Sequence, residues 1–364
     1  MDARGSSREP DAPAALRSDD AAWNAFVSGA NHGTIHQLTP WAQASAGKGW
    51  RAIRVATDSD EGPIGAQILV HRMRPGPWSR GYATRGPVAA QLTEGALRVF
   101  TAELRRDARR HRLTHVYMDP ELPRGGLEGR LLLAQGWRRA PHVQPNQSRI
   151  VDLARTEDQL WGDLRTSARW SVNKARRNGL EVVETRAEGL AEFVALFDET
   201  VERIGPRLIH HSNVEAVFGA FDAIDAARIL LARDPDGRAV ATLMLIACGR
   251  RMFELYGAAS AAGFKARANY LVKWEAIRRS RERGFVSYDM WGTDLPNLAE
   301  FKAGFGGEER FYDGAFELVT EPVGRLVVGG VQRLRGLVAR GQGRRTSNAS
   351  SETVTGPLGT GEPR

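Results

Sequence analysis

Only five of the chain's 51 basic residues are lysines: Lys48, Lys174, Lys265, Lys273 and Lys302. In so arginine-rich a chain, a lysine that persists carries information. Lys302 stands in FKAGFGG, beside Phe301 and followed by a glycine-bracketed turn; a solvated surface ammonium is the alternative reading. Asp119 ends an apolar run in MDPEL, where it faces a cleft or simply closes a turn before Pro120. Arg203 and Arg207 are four apart in RIGPR. A helix would place them on one face, although Pro206 favours a turn. Paired arginines suit bidentate phosphate recognition, and a surface ion pair is the plainer alternative. Arg165, Arg169, Lys174, Arg176 and Arg177 are spaced along a helical stretch. Such a face suits nucleic-acid phosphates or an anionic membrane surface, or is simply solvated.

Composition narrows the chemistry. The formal charge is +8 and the pI about 10, which favours anionic partners. The single cysteine, Cys248, excludes an intramolecular disulfide, and the sequence holds no metal-site spacing. Its apolar surroundings, ATLMLIAC, read as core. His210 and His211 are adjacent in a polar turn, and no Gly-x-Ser-x-Gly elbow accompanies them, which argues against a serine hydrolase. The first twenty residues are polar and no run reaches the length of a membrane span, so the expected location is the cytoplasm, with peripheral contact at the inner membrane surface.

These residues need elements to hold them. From Tyr256 to Phe316 the chain reads strand, turn, helix, strand, short helix, strand, with the main helix starting near Arg267 and stopping at Gly284. The order recurs upstream: GYATRGPVAA, an amphipathic helix with Leu97, Phe100, Leu104 and Ala108 on one face, THVYMDPEL, LLLAQGWRRA and SRIVDL. An aspartate ends the second strand of each copy, Asp119 and Asp289. The turn in the first copy, Leu-Ala-Gln-Gly-Trp, has no counterpart of Lys302. The pattern predicts a duplicated α/β (α+β) unit with mixed sheets and no coiled-coil arm. Residues 1–19 read as a disordered tail, 20–150 as the first unit, completed by 318–340, 151–317 as the second, and 341–364 as a disordered C-terminal tail.

Each unit resembles the GNAT acyltransferase fold. The ordered set HQLTPWAQASAGKGW, GYATRGPV, VYMDPEL, LRTSARWSVNKARRNGLEV, YGAAS, YLVKWEAIRRSRERG, YDMWG and FKAGFGG resembles the FemABX family of nonribosomal peptidyltransferases, from about Trp23 to Arg340. The resemblance implies two tandem GNAT-like domains and transfer of an amino acid from aminoacyl-tRNA to an amine in the stem peptide of a peptidoglycan precursor, nucleotide-linked (UDP) or lipid-linked. It implies no metal and no cofactor beyond the aminoacyl-tRNA. Lys302 matches the family's functional lysine and would face the oxyanion of an ester aminolysis. Phe301 beside it would pack the acceptor, or serve as a core aromatic. Asp119 corresponds to an acidic residue proposed as proton acceptor. Arg203, Arg207 and Tyr256 would meet the acceptor's phosphates and sugar. RIGPR departs from the family's arginine spacing, and TPWAQAS lacks the expected lysine, leaving Lys48 as the nearest. The basic run 165–177 would meet tRNA.

Two other readings remain open. A CoA-dependent N-acyltransferase of the same fold wants a glycine-rich pyrophosphate loop, and AAGFKARAN offers only Gly263. A non-catalytic RNA- or membrane-binding module would use the basic charge alone.

Overall fold

The computed structural model describes residues 12–74, 76–204, 214–327 and 330. Three helices lead in: α1 (Ala12–Ser18), α2 (Asp20–Gly29) and α3 (Thr39–Ala46). The first unit then runs β1 (Trp50–Ser59), β2 (Gly62–Arg72), β3 (Ser79–Ala83), β4 (Val88–Ala89), α4 (Glu94–Arg110), β5 (Leu113–Met118), α5 (Leu127–Ala134), β6 (Arg138–Ala140) and β7 (Gln147–Asp152). Two helices follow, α6 (Glu157–Asp163) and α7 (Thr166–Arg177), then β8 (Glu181–Thr185), α8 (Leu190–Ile204) and α9 (Val214–Asp222). The second unit runs β9 (Ala227–Arg233), β10 (Ala239–Cys248), β11 (Arg251–Ala259), α10 (Ala261–Ala266), α11 (Ala268–Glu282), β12 (Ser287–Asp289), α12 (Pro296–Ala303), β13 (Glu308–Phe311) and β14 (Ala315–Val319).

The two copies share one topology. In each, three antiparallel strands lead through a helix to a strand that pairs in parallel with the third: β3 with β5, and β11 with β12. The final strands are exchanged. β7, at the end of the first copy, pairs antiparallel with β12 and β13 of the second sheet. β14, at the end of the second, pairs antiparallel with β5 and β6 of the first. The sheets therefore cross the expected divisions: residues 147–150 build the second sheet and 315–317 the first.

Burial explains the elements. β10 is apolar apart from Thr242 because the second sheet is covered on both faces. On one face α7 and α11 supply Val172, Ala175, Leu271, Trp274 and Ile277. On the other, Phe193, Phe197, Phe218 and Phe221 of α8 and α9 share a core with Trp23, Val27, Ile35 and Leu38 of the leading segments. That common core joins the units. The first sheet packs on Leu97, Phe100, Leu104 and Ala108 of α4, the set its periodicity predicts.

The expected disordered N-terminal tail is corrected for residues 12–18. They form α1, with Leu16 buried. Arg17 donates to Asp107 (2.7 Å), Glu103 (2.6 Å) and the Ala56 carbonyl (2.7 Å). Residues 1–11 lie outside the described residues, as does the expected tail 341–364. Of the segment after β14, residues 322–327 are helical.

Candidate active site

FKAGFGG is the end of a helix and a tight reversal. Lys302 lies in the last turn of α12, Gly304 caps it, and Phe305 is buried. Gly306 and Gly307 follow with φ of 75° and 72°, conformations open chiefly to glycine. A Cβ at Gly307 would stand 2.7 Å from the Ile150 carbonyl oxygen, so the turn into β13 requires glycine. The motif thereby drives the lysine inward, and Lys302 is only 5% exposed.

The loop before α12 receives it. Lys302 Nζ donates to the carbonyls of Trp291 and, at 2.8 Å, Gly292. Trp291 has φ of 54°, a costly left-handed backbone for a bulky residue. Three contacts hold it there. Its N–H donates to Asp289 Oδ1 (2.7 Å), its ring stacks on His36 (centroids 4.6 Å apart), and the Arg85 guanidinium lies 5.0 Å over its centroid. Burial draws the Lys302 ammonium down to about 7; Lys273 adds to this, while Glu254, Asp289 and Asp294 oppose it.

Lys273 is a second buried lysine, 1% exposed. Both oxygens of Glu254 accept from its Nζ at 2.5 Å, and Tyr288 Oη donates to the same carboxylate at 2.7 Å. Its Nζ also lies 5.4 Å from the Phe301 ring and 5.7 Å from that of Phe305. Sequence reasoning gave Lys273 no role, although its place among so few lysines was the available signal. Phe301 packs edge-on against Tyr270 (5.0 Å) and Phe305 (5.4 Å), an aromatic cluster beside Lys273.

Where the copies meet, the two aspartates that end β5 and β12 anchor separate clusters. Asp119 is 1% exposed and accepts from Tyr82 Oη (2.6 Å), Arg85 N (2.9 Å) and Gln144 N (3.3 Å). Burial raises its carboxyl, partly offset by Arg85. Asp289 accepts from Ser148 Oγ, and Arg251 bridges it (3.5 Å) to Glu121 (3.0 Å). Burial, with Glu121 beside it, pushes Asp289 up. Burial, then Arg85 and Arg251, hold His36 well below its ordinary value and hence neutral. Four buried polar atoms here, His36 Nε2, Arg85 Nε, Glu121 Oε1 and Tyr312 Oη, find no hydrogen-bond partner among the described residues. Arg85, over both Trp291 and Tyr312, links the Asp119 cluster to the loop that holds Lys302.

The other expected site residues disperse. Arg203, on α8, donates to the Ala259 carbonyl (2.9 Å) and covers Phe264 at 4.6 Å. Tyr256, on β11, packs edge-on against Phe197. Arg207 lies outside the described residues. Lys48 precedes β1 in the first unit, whereas Arg203 and Tyr256 belong to elements of the second. The basic run is only partly available to a partner. Arg165 pairs with Glu300, Arg176 with Glu275 (3.1 Å), and Arg169 donates to the Gly162 and Leu164 carbonyls (2.9 and 2.6 Å). Those three arginines are engaged by the fold itself. Lys174 lies over half-exposed Trp170 at 4.9 Å, and Arg177 is exposed.

Two family models match. Residues 19–125 match the FemAB family, and residues 162–303 match the acetyltransferase (GNAT) domain. The Lipid II:glycine glycyltransferase of Staphylococcus saprophyticus is 23% identical over 346 residues, covering 76% of this chain and 83% of that protein. The protein of the same name from Staphylococcus aureus is 22% identical, with 74% and 82% covered. Among solved structures, one described as FemX superposes with a TM-score of 0.77 at 20% identity, over 85% of this chain and 98% of that one. A conserved protein of unknown function from Bacteroides thetaiotaomicron superposes at 0.60 with 12% identity, over 82% and 95%.

The GNAT-domain match over residues 162–303, with relatives named glycyltransferases, makes this chain a transferase of the acyltransferase class. Over residues 19–125 the chain matches the FemAB family model, and at 22–23% identity it is similar to the Lipid II:glycine glycyltransferases.

Proposed function

We propose that this protein transfers an amino acid from aminoacyl-tRNA to an amine on the stem peptide of a lipid-linked peptidoglycan precursor. The observation that carries the reading is Lys302: a buried lysine, its ammonium drawn down to about 7, held by two backbone carbonyls in the second GNAT unit. The substrate class is supported by the relatives named Lipid II:glycine glycyltransferase.

The chemistry is aminolysis of an ester. The acceptor nitrogen attacks the carbonyl carbon and a tetrahedral oxyanion forms. The bond from carbon to the ribose oxygen then breaks, the nitrogen loses a proton, and the ribose hydroxyl gains one. An ammonium has three donors. Two of those on Lys302 are spent on Trp291 and Gly292, and the third is the proposed donor to the oxyanion. A preoriented donor in a dry site needs no reorganisation when charge develops. Phe301 is the proposed packing surface for the acceptor, and Asp119, with its raised carboxyl, is the proposed proton acceptor. Arg203, Arg207 and Tyr256 are the proposed acceptor contacts. The acyl group arrives activated as an ester, so the proposed reaction calls on no further cofactor. The protein would work at the cytoplasmic face of the membrane.

Mass spectrometry of peptidoglycan precursors from host cells with and without the gene tests this. An added amino acid on the stem peptide, present only with the gene, supports the reading. Identical precursors, together with acetyl-CoA binding by the purified protein, would replace it with a CoA-dependent acyltransferase, the activity that the GNAT-domain match also permits.

A further inference from the structure

The first sheet ends, on the side away from Asp119, in a cavity of about 570 Å³ lined by Trp50, Arg51, Arg72, Ser79, His111 and Arg112 among others. No carboxylate lines it. Elsewhere arginines are mostly paired, as Arg17, Arg186, Arg233, Arg251 and Arg278 show. Among the described residues, the side chains of Arg51, Arg72 and Arg112 enter no ion pair or hydrogen bond. Arg80, on the opposite face of the sheet, lies 5.2 Å over the Trp50 ring with its Nε buried and unpartnered. Burial and Arg51 lower His111, which Asp107 opposes; burial and Arg80 lower His71. Three guanidinium groups lining one cavity that no carboxylate lines suit a phosphate group.

A second feature adjoins the cavity. Trp78, between the lining residues Pro77 and Ser79, packs on residues 322–327; a Cβ on Gly324 would stand 2.7 Å from its indole. This helical segment is tied to the start of β5 by Thr320 N–H donating to the Thr114 carbonyl at 2.9 Å. It leaves Val323, Leu326 and Val327 exposed by 64%, 77% and 40%. A dissolved phosphate or nucleotide would account for the arginines and leave these aliphatic side chains in water.

The geometry points to a docking face for an anionic phospholipid bilayer, with a headgroup phosphate in the arginine cavity and Leu326 and Val323 entering the headgroup–acyl boundary. An apolar patch beside basic side chains is the combination that binds anionic membranes. The cavity and Asp119 lie at opposite ends of β5, roughly 20 Å apart at about 3.3 Å per residue. The bilayer thus meets the protein one strand length from the transfer centre. The inference rests on the lipid-linked reading of the acceptor for its purpose, and its test uses no turnover.

The test is co-sedimentation of the full chain with vesicles of phosphatidylglycerol and phosphatidylcholine, against phosphatidylcholine alone. Partition to the anionic vesicles, weakening with salt, is expected. An arginine near such a surface contributes about fivefold to partition, so the triple variant Arg51→Gln, Arg72→Gln, Arg112→Gln should lose on the order of 100-fold. Leu326→Ser should weaken binding separately at unchanged charge. Equal partition of wild type and both variants, or no preference for anionic vesicles, overturns the proposal. Calorimetric binding of inorganic phosphate or UDP without vesicle binding overturns it too, and reassigns the cavity to a soluble ligand. Vesicle binding in a protein that transfers no amino acid would instead count against the function proposed above and leave this inference standing.

Discussion

Replacing Lys302 with methionine separates catalysis from folding. The ordinary lysine value is 10.5 and burial brings Lys302 to about 7. At about 1.4 kcal/mol per pH unit, keeping this group inside the protein at pH 7 costs about 4 kcal/mol. Methionine removes that cost and fills much of the same volume. Against it, the Trp291 and Gly292 carbonyls lose a donor, at about 1–3 kcal/mol each. The two terms nearly cancel, so stability at pH 7 should change by less than about 2 kcal/mol. Their balance should vary with pH in one direction. Between pH 7 and 10.5 the unfolded chain still holds the proton that the folded chain has released, so this lysine's contribution rises with pH. Wild type should therefore gain on Lys302→Met by up to about 4 kcal/mol from pH 7 to pH 10. Activity should not follow stability: loss of one oriented donor to an oxyanion lowers turnover by roughly 10²–10³. Urea unfolding at several pH values, alongside single-turnover transfer, measures both. A variant that unfolds at pH 7 as its activity disappears, or one that keeps wild-type turnover, would refute this account of Lys302.

Further outcomes follow from the same geometry. Lys273→Met leaves the Glu254 carboxylate, 8% exposed, without its cation; a loss of about 3–5 kcal/mol is expected. Adding Glu254→Gln should recover most of it, as urea unfolding of both variants would show. Lys174→Ala with Arg177→Ala should weaken tRNA binding and lower the salt slope by about 1–2, measured by filter binding across salt concentrations. Arg169→Ala should instead lower stability, because its guanidinium serves the carbonyls before α7; an unchanged salt slope in the double variant would dismiss this helix as the contact. Arg17→Ala removes bonds to Glu103, Asp107 and the Ala56 carbonyl. It should lower stability by about 1–3 kcal/mol in thermal unfolding, whereas no change would mean that α1 adds nothing.

Much of the duplicated order was legible in the sequence, because strand-helix alternation and the periodicity of α4 and α11 are local signals. The exchange of β7 and β14 was not. An alternating strand announces its faces, while its partners are chosen by the remaining sheet edges. α1 was hidden by composition: its seven residues, rich in alanine, bury one leucine and are held by Arg17 through groups about forty to ninety residues away. Lys302 was visible because the helix end and the left-handed Gly306-Gly307 turn write themselves into FKAGFGG. Its receiving loop was not, because the backbone of Trp291 and the stacking of His36 and Arg85 are products of the assembled copies. Lys273 stood as one basic residue in a helix that also carries several arginines, and only the placement of Glu254 and Tyr288 opposite it discloses a buried ion pair.

The central claim is tested most directly by purified protein given aminoacyl-tRNA labelled in its amino acid and a lipid-linked muropeptide. The account predicts that label moves into the organic-extractable lipid, linked through an amide that survives the mild base that strips aminoacyl esters. Label that stays on the tRNA, while an acetyl group from acetyl-CoA reaches the same acceptor, would contradict it.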